Sequence, residues 1–140
     1  MNYLLDTCVI SELVKPGRDP RVVRWIEACS DEQMFVSVLS FGELEKGVLR
    51  LPASKRKDRL RFWIDQHLTR RFEGKWLPVS LDVALAWGRI CAKAEEDGRK
   101  RPVVDSLIAA TALVHNLCVV TRNTNDLADM GVEILDPWAL

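Results

Sequence analysis

Short apolar segments typical of buried strands alternate with longer helix-like segments along the whole chain. The strand-like runs cover residues 3–5, 34–39, 76–79, 117–121 and 132–135. Between them, apolar residues recur about one helical turn apart, which favours helices. Strands that alternate with helices are typical of a parallel sheet covered on both faces. We therefore predict a three-layer α/β/α sandwich with a mainly parallel central sheet, formed by residues 1–140 as one domain.

Capping residues mark several of the predicted helices. Asp19 precedes a proline and is a good N-cap for a helix that starts there. Ser40 and Glu43 have the spacing of a capping box, which predicts a helix starting at Ser40. Gly98 is the expected stop of the helix over 81–96, and the nearly all-apolar segment 105–116 is expected to be a buried helix.

Charge and cysteine content narrow the class of protein. Twenty Lys and Arg balance twenty Asp and Glu, so binding of nucleic acid by overall charge alone is disfavoured. The four cysteines form no CxxC pair, which favours free thiols in a reducing compartment. We find no stretch apolar enough to span a membrane and no signal peptide at the amino terminus, so we expect a cytoplasmic protein.

Acidic residues lie where the carboxyl ends of the predicted strands meet. Ligands of open α/β sheets bind at that edge. Asp6 follows the first strand, Glu43 lies in the helix after the second, and Asp126 follows the fourth. Asp105 begins the buried helix that leads into the fourth strand. Each acid alone could instead serve a helix start, as a cap or as a partner of the helix dipole.

Four carboxylates at one edge need a counter-charge. Two carboxylates about 5 Å apart repel by roughly 3 kcal/mol at an effective dielectric of about 20. Mg²⁺ is the simplest partner, because it prefers oxygen ligands and usually binds one or two carboxylates together with water and phosphate. The chain has no P-loop, GxGxxG or GxSxG motif, which leaves metal-assisted hydrolysis of a phosphodiester as the favoured chemistry.

These acids lie within sequence blocks that resemble PIN-domain proteins, in particular toxins of the VapC and FitB type. The similar blocks are Leu4-Leu5-Asp6-Thr7, Ser11-Glu12-Leu13, Ser37 through Ser40, Gly42-Glu43-Leu44-Glu45-Lys46-Gly47, Asp105-Ser106-Leu107-Ile108-Ala109-Ala110, Thr121-Arg122-Asn123-Thr124-Asn125-Asp126 and Asp136-Pro137-Trp138. The blocks occur in the family's order and span essentially the whole chain. The resemblance therefore applies to the complete sequence rather than to one motif.

The resemblance implies a ribonuclease that depends on Mg²⁺ or Mn²⁺. The family's acidic quartet maps onto Asp6, Glu43, Asp105 and Asp126. By the same similarity, Asp6 and Asp105 hold the metal, while Glu43 and Asp126 bind it through water or orient the attacking water. Thr7 and Asn123 are expected to support the site. Many relatives carry Asp at the position of Asn123, so either Asn123 or Asp126 completes the site.

The resemblance also implies partners: RNA, a second copy of the chain in a homodimer, and an antitoxin whose tail occupies the active groove. RNA approaching an acidic centre needs cations to hold its phosphates. We expect these to be Arg99, Lys100, Arg101 and Arg122, the first three because they directly precede the Asp105 block. The run Lys55, Arg56, Lys57 and Arg59 is a further candidate, although an ordinary solvated helix face explains it equally well.

Two other functions remain open. In a phosphohydrolase, Asp6 would be the nucleophile, but such enzymes often carry a second acid two residues later, where this chain has Cys8. A catalytically inactive domain that only binds a partner or RNA is the other alternative. A purely binding role would not require carboxylates to cluster at the carboxyl edge of the sheet.

Overall fold

A computed structural model describes residues 1–140 and gives a chain in which strands and helices alternate. The elements are β1 (Tyr3–Leu5), α1 (Thr7–Val14), α2 (Pro20–Ala28), β2 (Met34–Ser37), α3 (Val38–Leu49), α4 (Lys55–Phe62), α5 (Thr69–Arg71), β3 (Trp76–Leu77), α6 (Leu81–Glu96), α7 (Val103–His115), β4 (Cys118–Val120), α8 (Thr124–Leu127) and β5 (Ile134–Leu135). A π-helical segment, Trp63–Leu68, joins α4 to α5. Short 3₁₀ turns cover Asp31–Gln33 and Pro137–Ala139.

The five strands form one parallel sheet in the order β3-β2-β1-β4-β5. Leu5 of β1 pairs with Val36 of β2 on one side and with Val120 of β4 on the other. The chain builds outward from β1 to β3 and then returns to add β4 and β5 on the opposite side. The order therefore reverses between β1 and β4, which is where ligand-binding crevices form in such sheets.

Each face of the sheet has its own apolar core. Leu5, Val36 and Val120 belong to a cluster with residues of α1, α2, α3 and the α4–α5 region. Leu4 and Val119, their neighbours along the strands, pack instead with residues of α7 and α8. Successive strand residues point to opposite faces, so each strand contributes to both layers. The structure thus confirms the three-layer α/β/α sandwich.

The start of α7 is fixed by its packing against α6. The indole nitrogen of Trp87 donates to the hydroxyl of Ser106 over 3.0 Å, while Val83 packs with Ala110 further along. Ser106 also donates to the carbonyl of Pro102 over 2.7 Å. These contacts hold the first turn of α7 in place. None of the helices has both the length and the apolar character that a membrane crossing requires.

Helix α3 begins earlier than the sequence predicts. Asp19 caps α2 as expected, accepting from the Arg21 amide over 2.9 Å. The predicted cap Ser40 is wrong, because Ser37 caps α3 and accepts from the Leu39 amide over 3.1 Å. Strand β2 therefore ends at Ser37 and passes directly into the helix. Ser40 lies inside the first turns, fully buried, and its hydroxyl has no hydrogen-bond partner.

The two serines should respond oppositely to replacement by alanine. Ser37→Ala removes a helix cap and is expected to lower the free energy of unfolding by about 1 kcal/mol. Ser40→Ala removes an unpaired buried hydroxyl and is expected to leave that free energy unchanged or to raise it by up to about 1 kcal/mol. Urea unfolding of the two variants checks both values. An equal loss in both would contradict the observed start of α3.

Candidate active site

Asp6 lies at the point where the strand order reverses. It follows β1 directly and is almost fully buried. One carboxylate oxygen accepts from the Thr7 amide over 2.8 Å, and the other accepts from the hydroxyl of Thr121 over 2.8 Å. Asp6 therefore does cap α1, but its second oxygen is bound from the end of β4. Donors on both sides fix the orientation of the carboxylate across the crevice.

Thr121 lies beside Asp6 and has a structural role that the sequence alone did not assign to it. Its side chain is fully buried, donates to Asp6 and accepts from the Asn123 amide over 3.0 Å. The sulfur of Cys8 lies 3.5 Å from the same hydroxyl and accepts from the Arg122 amide over 3.5 Å. In the sequence, only the position of Thr121 pointed to a role at the site, because Thr121 directly follows β4 as Asp6 follows β1.

Cys8 occupies the position at which a phosphohydrolase of the aspartate type would carry its second acid. Burial raises the pKa of the Cys8 thiol above its ordinary value, with the charge of Asp6 acting in the same direction. The thiol is therefore neutral at neutral pH and serves to hold the loop after β4. This contact gives no support to a mechanism with Asp6 as nucleophile.

Glu43 is tied to the same region through Thr7. The Thr7 hydroxyl donates to a carboxylate oxygen of Glu43 over 2.7 Å, joining the first residue of α1 to the middle of α3. Thr7 thus binds one acid through its side chain and Asp6 through its amide. This geometry gives a physical basis for the supporting role predicted for Thr7.

The pKa of Asp105 is affected by the negative charges of the three other predicted site acids. The residue lies in the first turn of α7, which is capped at Pro102, so Asp105 is not the helix cap. Burial raises the pKa of its carboxyl above the ordinary value of 3.8, and the negative charges of Asp6, Asp126 and Glu43 raise it further. The negative charges of the three other predicted acids therefore all act on Asp105, and the shared metal site stays a prediction.

Asn123 precedes the short helix α8, and Asp126 lies within it. Asn123 is its N-cap residue but makes no capping hydrogen bond through its side chain. Asp126 is in the first turn and is exposed. Only Asp126 contributes a charge that acts on Asp105.

The acidic group lacks a counter-charge within the protein. No Lys or Arg forms an ion pair with any of the four acids. No three acidic, histidine or cysteine side chains converge closely enough to make a preformed metal cage. Mg²⁺ does not need such a cage, because it usually keeps several waters and takes one or two carboxylates. The donor set therefore fits an Mg²⁺ or Mn²⁺ ion that is bound by few direct ligands.

The cations predicted to hold RNA are mostly engaged in structural contacts. Arg99 pairs with Asp97 over 3.1 Å and with Asp129 over 3.2 Å. Arg101 donates to the carbonyl of Ala128 over 2.8 Å, and the guanidinium of Arg122 lies 5.4 Å from the Trp138 ring centre. Lys100 is exposed and makes no such contact. Arg99 and Arg101 therefore help to fix the loop before α7, and the contact of these four cations with phosphate stays a prediction.

These features define a class of protein: a parallel α/β domain whose acidic residues near the carboxyl edge of the sheet form no ion pairs. The PIN domain family matches residues 3–133. The chain is 34% identical over 135 residues to VapC ribonuclease Y4jK of Sinorhizobium fredii, covering 96% of both proteins. It is 36% identical over 135 residues to toxin FitB of Neisseria gonorrhoeae, covering 96% of this chain and 97% of FitB. The protein belongs to the PIN-domain family.

The fold agrees with that membership. The crystal structure of FitAcB from Neisseria gonorrhoeae is similar with a TM-score of 0.93 and 36% identity, and the match covers 99% of both chains. DNA-bound VapBC from Salmonella typhimurium is similar in fold with a TM-score of 0.80 at 24% identity. The resemblance drawn from the sequence blocks is thus confirmed at the level of family and fold.

Proposed function

We propose that the protein is a Mg²⁺-dependent endoribonuclease and the toxin of a type II toxin–antitoxin pair. The observation that supports this proposal is that the charges of Asp6, Asp126 and Glu43 act on Asp105, while none of the four acids forms an ion pair with Lys or Arg. Relatives named as a VapC ribonuclease and as toxin FitB support it. Mn²⁺ is expected to replace Mg²⁺, since both accept oxygen ligands.

The residues divide into those that hold the ion and those that hold other residues. By the family resemblance, Asp6 and Asp105 would be the direct ligands, and the orientation of the Asp6 carboxylate is fixed by two donors. Bound Mg²⁺ polarises a phosphodiester and lowers the pKa of a coordinated water. By the same resemblance, Glu43 and Asp126 would bind the ion through water or orient the attacking water. Thr7 and Thr121 are positioning residues that act through Glu43 and Asp6.

The predicted partners remain part of this proposal. An antitoxin whose tail enters the acidic groove would place cationic side chains among the four acids and so supply the missing charge. The homodimer rests on the family resemblance. The cytoplasmic location rests on the thiols, and the structure has four free cysteines and no disulfide.

Removing the divalent ion tests the proposal. We expect the purified chain to cleave single-stranded RNA with Mg²⁺ or Mn²⁺ and to stop when EDTA chelates the ion. Adding excess Mg²⁺ should restore cleavage, because the acids themselves are unchanged. Fragment lengths on a denaturing gel provide the measurement. Equal cleavage in EDTA would overturn the metal-dependent mechanism.

Further measurements distinguish the proposed ribonuclease from a non-catalytic binding domain and from an aspartyl phosphohydrolase. Mg²⁺ at saturating concentration should raise the thermal unfolding temperature, because it binds the folded state only. A binding domain without catalysis would show RNA binding and no fragments. An aspartyl phosphohydrolase would show a phosphorylated Asp6 in an intact-mass measurement, which we expect to be absent.

A further inference from the structure

Helix α4 carries a stripe of exposed residues that does not belong to the acidic site. Lys55, Arg59 and Phe62 are spaced four and three residues apart, so they lie on one face of the helix, which the exposed Asp58 also borders. All three are exposed, and Phe62 keeps 61% of its surface accessible. Leu60 and Ile64 pack against the core from the other side of the helix. We call Lys55, Arg59 and Phe62 the outer stripe.

The cations of the outer stripe are free of internal partners. Lys55 and Arg59 form no ion pair and no side-chain hydrogen bond. In contrast, Arg61 on the same helix binds both oxygens of Glu45, over 2.6 and 2.9 Å. Helix α4 contains five cations and one acid in a chain whose net charge is zero. This local positive excess is available to an external anion.

Phe62 adds an aromatic surface beside those cations. Its only aromatic neighbour is His67, which meets it edge-on with 5.6 Å between ring centres. The core does not use Phe62, and an exposed phenyl ring is costly in water. Cations that follow a backbone next to a ring on which bases stack are the combination found in surfaces that bind single-stranded nucleic acids.

The outer stripe lies on a helix that is joined to α3. The forked Arg61–Glu45 pair makes this connection. A bidentate Arg–carboxylate pair fixes geometry as well as distance. The pair therefore orients α4 against α3, the helix that also carries Glu43.

We propose that the outer stripe is a contact surface for single-stranded RNA, in which Lys55 and Arg59 bind phosphates and Phe62 stacks on a base. This inference rests on the proposed ribonuclease function and assigns the substrate contact to α4 instead of to Arg99 and Arg101. Arg99 and Arg101 already bind Asp97, Asp129 and the Ala128 carbonyl. Lys55 and Arg59 would not have to break an ion pair or a hydrogen bond within the protein to bind RNA.

RNA binding without cleavage tests the stripe. In the Asp105→Asn background, fluorescence anisotropy with a short single-stranded RNA measures the dissociation constant at several salt concentrations. Phe62→Ala and Phe62→Leu should both weaken binding about 10-fold, whereas Phe62→Trp should retain it, because stacking needs a ring. The double variant Lys55→Gln/Arg59→Gln should reduce the steepness with which the log of the association constant falls with the log of salt concentration. The expected reduction is about 1.4, because two phosphate contacts are lost.

Arg24→Gln is the matched control, since Arg24 is an exposed, unpaired cation on α2 and its loss should leave the slope unchanged. Binding by Phe62→Leu equal to that of the parent would overturn the stripe while leaving the ribonuclease proposal intact. An altered oligomeric state of Phe62→Leu with unchanged RNA binding would also overturn it and assign the face to a protein partner. A parent that binds no RNA would refute the proposed function together with the stripe.

Discussion

Asp105→Asn is expected to lower RNA cleavage at least about 100-fold while the fold is retained. Asparagine keeps the shape of the side chain but removes the negative charge that an Mg²⁺ ligand must supply, and metal stabilisation of the transition state contributes several kcal/mol. Initial rates of RNA cleavage at saturating Mg²⁺ measure the effect. Asp82→Asn is the matched control, because Asp82 lies in the first turn of α6 and is exposed.

The same variant should be more stable than the wild type in buffer without divalent ions. The pKa of Asp105 is raised in the folded chain, so the ionised form lowers stability above that pKa. This cost is absent below the ordinary value of 3.8 and grows as pH rises through the raised folded value. Thermal unfolding from pH 3.5 to about 7 should therefore show a gap between variant and wild type that opens with pH.

Full activity of Asp105→Asn would remove the basis for the assigned site. A stability gap that closed with rising pH would contradict the origin given for the raised pKa. Mg²⁺ should also stabilise the wild type more than the variant, since the variant lacks one ligand.

Asp6→Ala is expected to abolish cleavage and also to destabilise the fold by about 2 kcal/mol. The substitution removes the cap of α1 and leaves the buried hydroxyl of Thr121 without its acceptor. Asp6 and Asp105 thus have opposite expected effects on stability, although both are needed for activity. Urea unfolding and cleavage rates on the same preparations measure the two effects.

Asp19→Ala is the control variant that loses a helix cap without changing any of the four acids. Asp19 caps α2 in the same way, and its hydrogen bonds to Arg21 lower the pKa of its carboxyl to about 2. The variant should lose stability but keep cleavage, because Asp19 has no contact with the acidic group. Loss of cleavage in Asp19→Ala would mean that the effect of Asp6→Ala reports stability instead of catalysis.

The fold was predictable wherever local and tertiary preferences agree. Tyr3–Leu5 has the predicted bounds because a fully apolar run ends at an acid that caps the next helix. The start of α3 was mispredicted because Ser37 and Ser40 both offer a hydroxyl, and only the strand register decides between them. Ser37 is the last residue of β2 paired in the sheet, which fixes the cap there.

The positions of Asp6 and Asp105 were predictable, because Asp6 follows β1 and Asp105 lies in the first turn of α7. The joint role of the four acids stays a prediction. The role of Thr121 was not predictable, since its hydroxyl gains importance only from the buried Asp6 carboxylate beside it. Arg99 pairs with the nearby Asp97, but its second partner Asp129 and the Ala128 partner of Arg101 are about thirty residues away along the chain. Long-range partners of this kind cannot be read from local spacing.

A crystal soaked in Mn²⁺ and measured at a wavelength where manganese scatters anomalously locates the ion directly. We predict one anomalous peak beyond the carboxyl ends of β1 and β4, within coordination distance of Asp6 and Asp105, and its absence in crystals of Asp105→Asn. A saturating soak that leaves this pocket without a peak, or that places the ion away from both aspartates, would contradict the proposal that these acids gather to hold a divalent cation.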